Sequence, residues 1–381
     1  MAATETGKSC RVLAALLFWV LQPLHAAVLP EDRADVLYHS YDGGGLQVSG
    51  PSVLVLKKIG EKFTLSGNYY VDNISSASID VETTASPYRE RREEKSLALD
   101  YLHDKTTLSL AYGNSRENDY DANSLNLGVS TDLFGGMTTV SLGYGLGRDE
   151  VGRNGDTAFR EDVQRQNYRV GLTQVVTRNL LLSLIYEGIT DQGYLNNPYR
   201  SVRYLNGDGG ISRQGERYPG TRTSNAASIR ARYHLPYRAA LSGSYRFFVD
   251  TWGIEAHTGE IGYTHPLGKT WLVDLKYRYY TQDRADFYSD LFPYADAQNF
   301  LARDKELSSF RSQTLGLRLS HELPVTRIPF LDRGSLNLSL DYMRFDYRDF
   351  RDARQAASVP GEEPLYGFTA RVVQLYLSLW Y

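Results

Sequence analysis

The chain has 381 residues, 23% of them charged, a formal net charge of −3 and a mean hydropathy of −0.41. Those values exclude a protein of many helical membrane spans, each needing about 20 consecutive apolar residues, and the near-neutral balance carries no nucleic-acid footprint. Tyr is heavily used, 29 residues against 4 Trp and 3 Met, as suits a membrane interface or an extended sheet.

In chain order, the first feature is the apolar run Val12 to Leu21. At about ten residues it is too short to span a bilayer. Lys8 and Arg11 precede it; Gln22, Pro23 and Ala26-Ala27 follow. A positive head, a short apolar middle and small residues read as an export signal over 1–26, cleaved after Ala26 or Ala27, with a single barrel domain over 27–381. The lone cysteine, Cys10, lies in that leader. The mature chain therefore offers no disulfide, thiolate metal site or Cys nucleophile.

Beyond the leader, apolar and polar residues alternate with period two, segment after segment. Strands are expected near 34–41, 46–57, 63–73, 95–103, 106–114, 123–132, 138–148 and 165–176, then 180–190, 223–235, 239–250, 254–266, 270–281, 309–322, 335–347 and 367–381. One phrase recurs, apolar-x-apolar-x-Tyr, as in Leu108-Ser-Leu-Ala-Tyr112, Leu182-Ser-Leu-Ile-Tyr186 and Leu338-Ser-Leu-Asp-Tyr342. Strands of a second kind, such as Leu125-x-Leu-x-Val129, lie between them. Short joints alternate with long ones, the latter at 74–93, 148–163, 191–222, 282–307 and 348–366. The expected fold is all-β, a transmembrane antiparallel β-barrel of sixteen strands, with fourteen or eighteen as alternatives.

Every backbone N–H and C=O inside a bilayer needs a partner, so a chain without spanning helices must close its sheet. Sixteen strands enclose an aqueous space unless loops fill it. The inward set is polar and includes Arg169, Glu187, Arg230, Arg232, Arg246, Asp274, Lys276, Arg278, Arg318 and Asp341. These charges would be prohibitive in a dry core and are ordinary in a wet lumen. Small residues dominate the early strands and Arg, Lys and Tyr the later ones, which suggests a smooth wall facing a basic one.

The last strand places Val373, Leu375, Leu377, Leu379 and Tyr381 on one side. An apolar alternation ending on an aromatic resembles the C-terminal signal read by the barrel-assembly machinery. Upstream, Tyr38-His-Ser-Tyr-Asp-Gly-Gly-Gly45, Ser49-Gly-Pro-Ser-Val-Leu-Val55, Asn68-Tyr-Tyr-Val-Asp72, Ser75-Ser-Ala-Ser-Ile-Asp80 and Thr84-Ala-Ser-Pro-Tyr88 resemble an uncharacterised proteobacterial family. That family is known only as a domain of unknown function and is regarded as outer-membrane barrels. The resemblance is close over the first quarter of the mature chain. It implies a barrel along the whole length, supplies no activity and no functional residue, and leaves a lipoprotein partner open.

Candidate chemistry is sparse. His39, His103, His234, His257, His265 and His321 show no metal-ligand spacing. His39 and Ser40 evoke a hydrolase pair, yet neighbours in a strand face opposite ways. The 191–222 loop carries Arg200, Arg203, Arg213, Arg217 and Arg222 among tyrosines; an inward-folded, anion-binding constriction and a solvated loop near lipopolysaccharide phosphates are equally compatible. The acidic 282–307 loop reads as solvated. The Ser- and Thr-rich start of the 73–95 loop is expected to fold into the barrel mouth or to contact a partner. No catalytic residue, cofactor or metal is expected.

The function these features imply is a non-enzymatic channel or porin-like transporter for small polar or anionic solutes, in the outer membrane of a Gram-negative bacterium. A plugged barrel serving as scaffold or exporter for a periplasmic or lipoprotein partner is one alternative, and a barrel hydrolase another. Outer-membrane lipid and lipopolysaccharide are the surroundings this implies.

Overall fold

The computed structural model describes residues 28–76, 88–325, 328–355 and 357–381; the expected leader and residues 77–87 of the 73–95 loop lie outside them. Period-two alternation puts apolar and polar side chains on opposite sheet faces, and all sixteen expected segments form strands. They are β1 Arg33–Gly43, β2 Leu46–Ile59, β3 Phe63–Ser76, β4 Tyr88–His103, β5 Thr106–Arg116, β6 Tyr120–Leu133, β7 Thr138–Arg153, β8 Asp156–Thr177 and β9 Leu180–Gly193. A small hairpin, β10 Ser201–Leu205 with β11 Ile211–Gly215, then precedes β12 Thr221–His234, β13 Ala240–Asp250, β14 Glu255–Leu267, β15 Trp271–Gln282, β16 Phe310–Leu323, β17 Arg333–Arg351 and β18 Leu365–Trp380.

The sixteen long strands form one closed antiparallel barrel, and β10–β11 stands apart as its own two-stranded sheet. Closure is made by β18, which pairs with β17 on one side and with β1 on the other, Val36 opposite Leu377 and Arg33 opposite Trp380. Of the expected assembly signal, Val373 and Leu375 are exposed on the outer face. Among the described residues no helix is long and apolar enough to cross a membrane.

The outer face is a belt of exposed Leu, Val, Ile and Tyr, with Leu315 63% and Ile261 62% exposed. Its border toward the long loops is marked by tyrosines whose hydroxyls bond outward-facing polar side chains one step nearer those loops. Tyr112 donates to Asn123 at 2.8 Å, Tyr168 to Gln166 at 2.6 Å, Tyr186 to Asn225 at 2.6 Å and Tyr277 to Gln313 at 3.2 Å, while Tyr245 meets His257 at 2.7 Å. Rings in the belt and hydroxyls turned toward a polar layer are how a barrel seats itself at a membrane border.

Two expected loops are strand instead. Residues 148–163 continue β7 and β8 to a tight turn at Asn154-Gly155, where Gly155 adopts φ +83°. An Asn-Gly turn is a strong hairpin signal, and the charged alternation around it is that of a strand standing above the membrane. Arg89 to Lys95 likewise belong to β4 and pair with β3.

Candidate functional site

Three long connections, 194–220, 283–309 and 352–364, lie at one end of the barrel and fold together as a cap. Backbone bonds stitch the first to the second: Leu205 N–H donates to Phe292 O at 3.0 Å, Phe292 N–H to Arg203 O at 2.9 Å, and Arg217 and Leu301 exchange both of theirs. Val202, Phe292 and Leu301 are buried together beneath the hairpin.

Buried arginines tie in the third connection. Arg203 donates to both oxygens of Glu363 and also pairs with Asp290. Arg303 reaches Asp290 and the Arg351 carbonyl, and Arg351 N–H donates to Asp290 Oδ1 at 3.1 Å. Arg200 pairs with Asp304. Planar guanidinium forks suit such multiple acceptors. The acidic 283–309 loop is therefore not solvated at Asp290 and Asp304; Arg203 and Arg200 of the 194–220 loop pair with them, and the loop's own Arg303 adds to Asp290. Of the remaining loop arginines, Arg217 pairs with Asp296 in the cap, and Arg222 belongs to β12, where it pairs with Asp250.

Under the cap an apolar cluster crosses the mouth. It joins Val151 of β7, Val163 of β8, Trp252 and Ile254 at the β13–β14 turn, and Tyr347 and Phe350 of β17 to Tyr218, Phe287 and Tyr288 of the loops. In the ring of sixteen, β7 and β17 are eight strands apart in either direction. The cluster thus bridges diametrically opposite walls.

Below it, the inward charges expected from sequence alternate with the exposed apolar belt. Glu187 joins Arg169 at 3.7 Å and Arg246 at 3.4 Å, and Lys276 joins Asp341 at 3.1 Å. Asp274 stands opposite Arg318 in register. Arg230, Ser244, Glu260, Arg278 and Thr314 form one row across β12 to β16. Glu260 escaped the sequence reading, although the Ile261 beside it marks its strand face. Arg232 lies in the next row, opposite Ser242. The side chains of Arg246 and Lys276 remain 32% and 38% exposed, against 4% for Arg203. Basic groups outnumber the acids among these wall residues, and their side chains stay partly exposed where the mouth is packed.

A second polar cluster lines β1 to β4. His39 faces inward while Ser40 faces out, so the two make no dyad. The His39 Nε2 lies 2.7 Å from Asp72 Oδ1 and 3.0 Å from the Tyr70 hydroxyl, its ring stacks on Tyr70 at 4.7 Å, and Asp72 pairs with Arg92. Gly50 stands between His39 and β3, where a Cβ would fall 1.8 Å from the Val71 carbonyl oxygen. Ser52 donates to Asn68 at 3.1 Å. His39, Gly50, Ser52, Asn68, Tyr70 and Asp72, which lie in the stretches that carried the sequence resemblance, thus meet on one patch of inner wall; residues 77–87 of those stretches lie outside the described residues. Nearer the cap, Glu90, Glu117 and Asp119 bring three carboxylates within 4.8 Å, and Asp119 accepts from Tyr199 of the 194–220 loop.

A family model described as "Protein of unknown function (DUF3570)" matches residues 19–350. No curated protein matches the chain. Among solved structures, a bacterial polysaccharide outer membrane secretin is similar at 7% identity and a TM-score of 0.51, over 93% of this chain and 100% of that one. CdiB from Acinetobacter baumannii is similar at 10% identity and a TM-score of 0.50, over 91% of this chain and 60% of that one. At such identities the likeness is one of fold: an outer-membrane-type barrel.

Proposed function

The chain belongs to the DUF3570 family of proteins of unknown function, and on that premise we propose that it is a gated, non-enzymatic conduit for small polar or anionic solutes in the outer membrane of a Gram-negative bacterium. The observation that carries this reading is the contrast between partly exposed, predominantly basic side chains on the inner wall and a mouth crossed by packed apolar side chains and a folded cap. A wall of basic groups draws anions into a water-filled lumen, and a cap that adds no strand to the barrel sheet can be released without breaking the barrel. Lumenal roles for Arg230, Arg232, Arg246 and Arg278 follow from their wall position, and an assembly role for the β18 alternation from its place at the closure.

Planar-bilayer recording of the refolded protein tests the reading. In acidic buffer the wild type should show rare, anion-preferring openings and Arg203→Ala frequent ones. Silence of both rejects the conduit. It would favour the second reading, a plugged barrel that scaffolds a periplasmic or lipoprotein partner, which the apolar seal across the mouth supports.

A further inference from the structure

Two of the cap loops meet at a buried acid pair. Glu216, just before β12, and Asp304, in the 283–309 loop, are each 7% exposed. Glu216 Oε1 accepts from the Arg303 backbone N–H at 2.7 Å and Oε2 from the Tyr218 hydroxyl at 2.6 Å; that hydroxyl also lies 3.4 Å from Asp304 Oδ2. Arg200 pairs with Asp304, while the Arg303 side chain turns away to Asp290. Tyr194 faces Glu216 from the same loop, with Arg153 and Glu161 of the β7–β8 hairpin beyond it. Two buried carboxylates from different loops thus meet around the Tyr218 hydroxyl, and the charge of Arg200 acts on both of them.

We propose that Glu216 is a pH-sensitive latch on the cap: protonated, it lets the two loops stay joined, and ionised, it drives them apart, so the mouth is shut in acid and released toward neutral pH. The latch rests on the reading of these loops as a gate. Burial and a like charge both disfavour the carboxylate form. Burial first, then the Asp304 charge, push the Glu216 carboxyl up to about 7 from an ordinary 4.5. An open cap returns the group to water and to its ordinary value. Between those two values the closed cap holds a proton that the open one has released, so closure weakens as pH rises through that window and levels off above it. Burial also raises the Tyr218 hydroxyl well above its ordinary value, so it remains a donor throughout.

Hydrogen exchange of residues 195–219 in the full-length, detergent-solubilised barrel between pH 4.5 and 8, corrected for intrinsic rates, reads the latch directly. Opening of the wild-type cap should rise on the order of a hundredfold across that range, and Glu216→Gln should stay closed and flat. A flat wild type, or a Gln variant that follows the wild type, overturns the proposal. Tyr218→Phe keeps the ring packing and removes a bond to the carboxylate, so the wild-type midpoint should move upward; a downward move counts against the latch. Exchange does not depend on conduction. A pH-dependent cap on a silent barrel would sink the gate and spare the latch, and a conducting barrel with a pH-independent cap would do the reverse.

Discussion

Arg203 and Glu363 are 160 residues apart and form a two-pronged ion pair, Nη1 to Oε1 at 2.6 Å and Nη2 to Oε2 at 2.9 Å. The same guanidinium pairs with Asp290. One side chain therefore fastens the hairpin to both other cap loops.

Removing it leaves two buried carboxylates with less compensation, which typically costs about 3–5 kcal/mol. That loss falls on the cap, since no barrel ladder bond involves Arg203. Arg203→Ala should make residues 195–219 sensitive to added protease while the heat-dependent gel shift of the folded barrel stays as in the wild type. A protected loop would show that the backbone stitching suffices alone.

Gly50 is a packing necessity of a different kind. Its missing side chain lets β2 and β3 approach at the Val71 carbonyl and leaves room for the His39 ring to reach Tyr70 and Asp72. Gly50→Ala should cost about 3 kcal/mol or more by overpacking and reduce the yield of folded barrel in a refolding assay. Gly215→Ala, where nothing stands within 4 Å, is the control and should fold normally.

The row Arg230, Ser244, Glu260, Arg278 predicts charge selectivity. Arg230→Glu with Arg278→Glu reverses two inward charges without touching the cap. The reversal potential under a salt gradient should move toward cation preference, and the shift should shrink as ionic strength rises. An unchanged reversal potential would place the permeation path elsewhere.

Much of the architecture was legible in the sequence. The repeated Leu-Ser-Leu-x-Tyr phrase marks strands whose apolar side meets lipid and whose tyrosine sits at the membrane border, and the period-two alternation of the segments between them locates the remaining barrel strands. Residues 148–163 imitate a loop because charges fall on both faces, although Asn154-Gly155 carries the turn signal. The cap was hidden for another reason. Arg203 meets Glu363, and Arg200 meets Asp304, only after the barrel brings distant loops together, and a buried arginine looks like a solvated one in a linear sequence. The Val151-to-Tyr347 bridge was hidden likewise, because ring closure alone makes β7 and β17 face each other.

The most direct measurement is efflux of a small anionic dye from proteoliposomes, comparing wild type with a protein whose residues 195–219 are replaced by a short Gly-Ser linker. A sealed mouth over a wet basic wall predicts retention by the wild type at acidic pH and rapid release by the loop-replaced protein. Free release by the wild type at every pH, or retention by a correctly folded loop-replaced barrel, would contradict it.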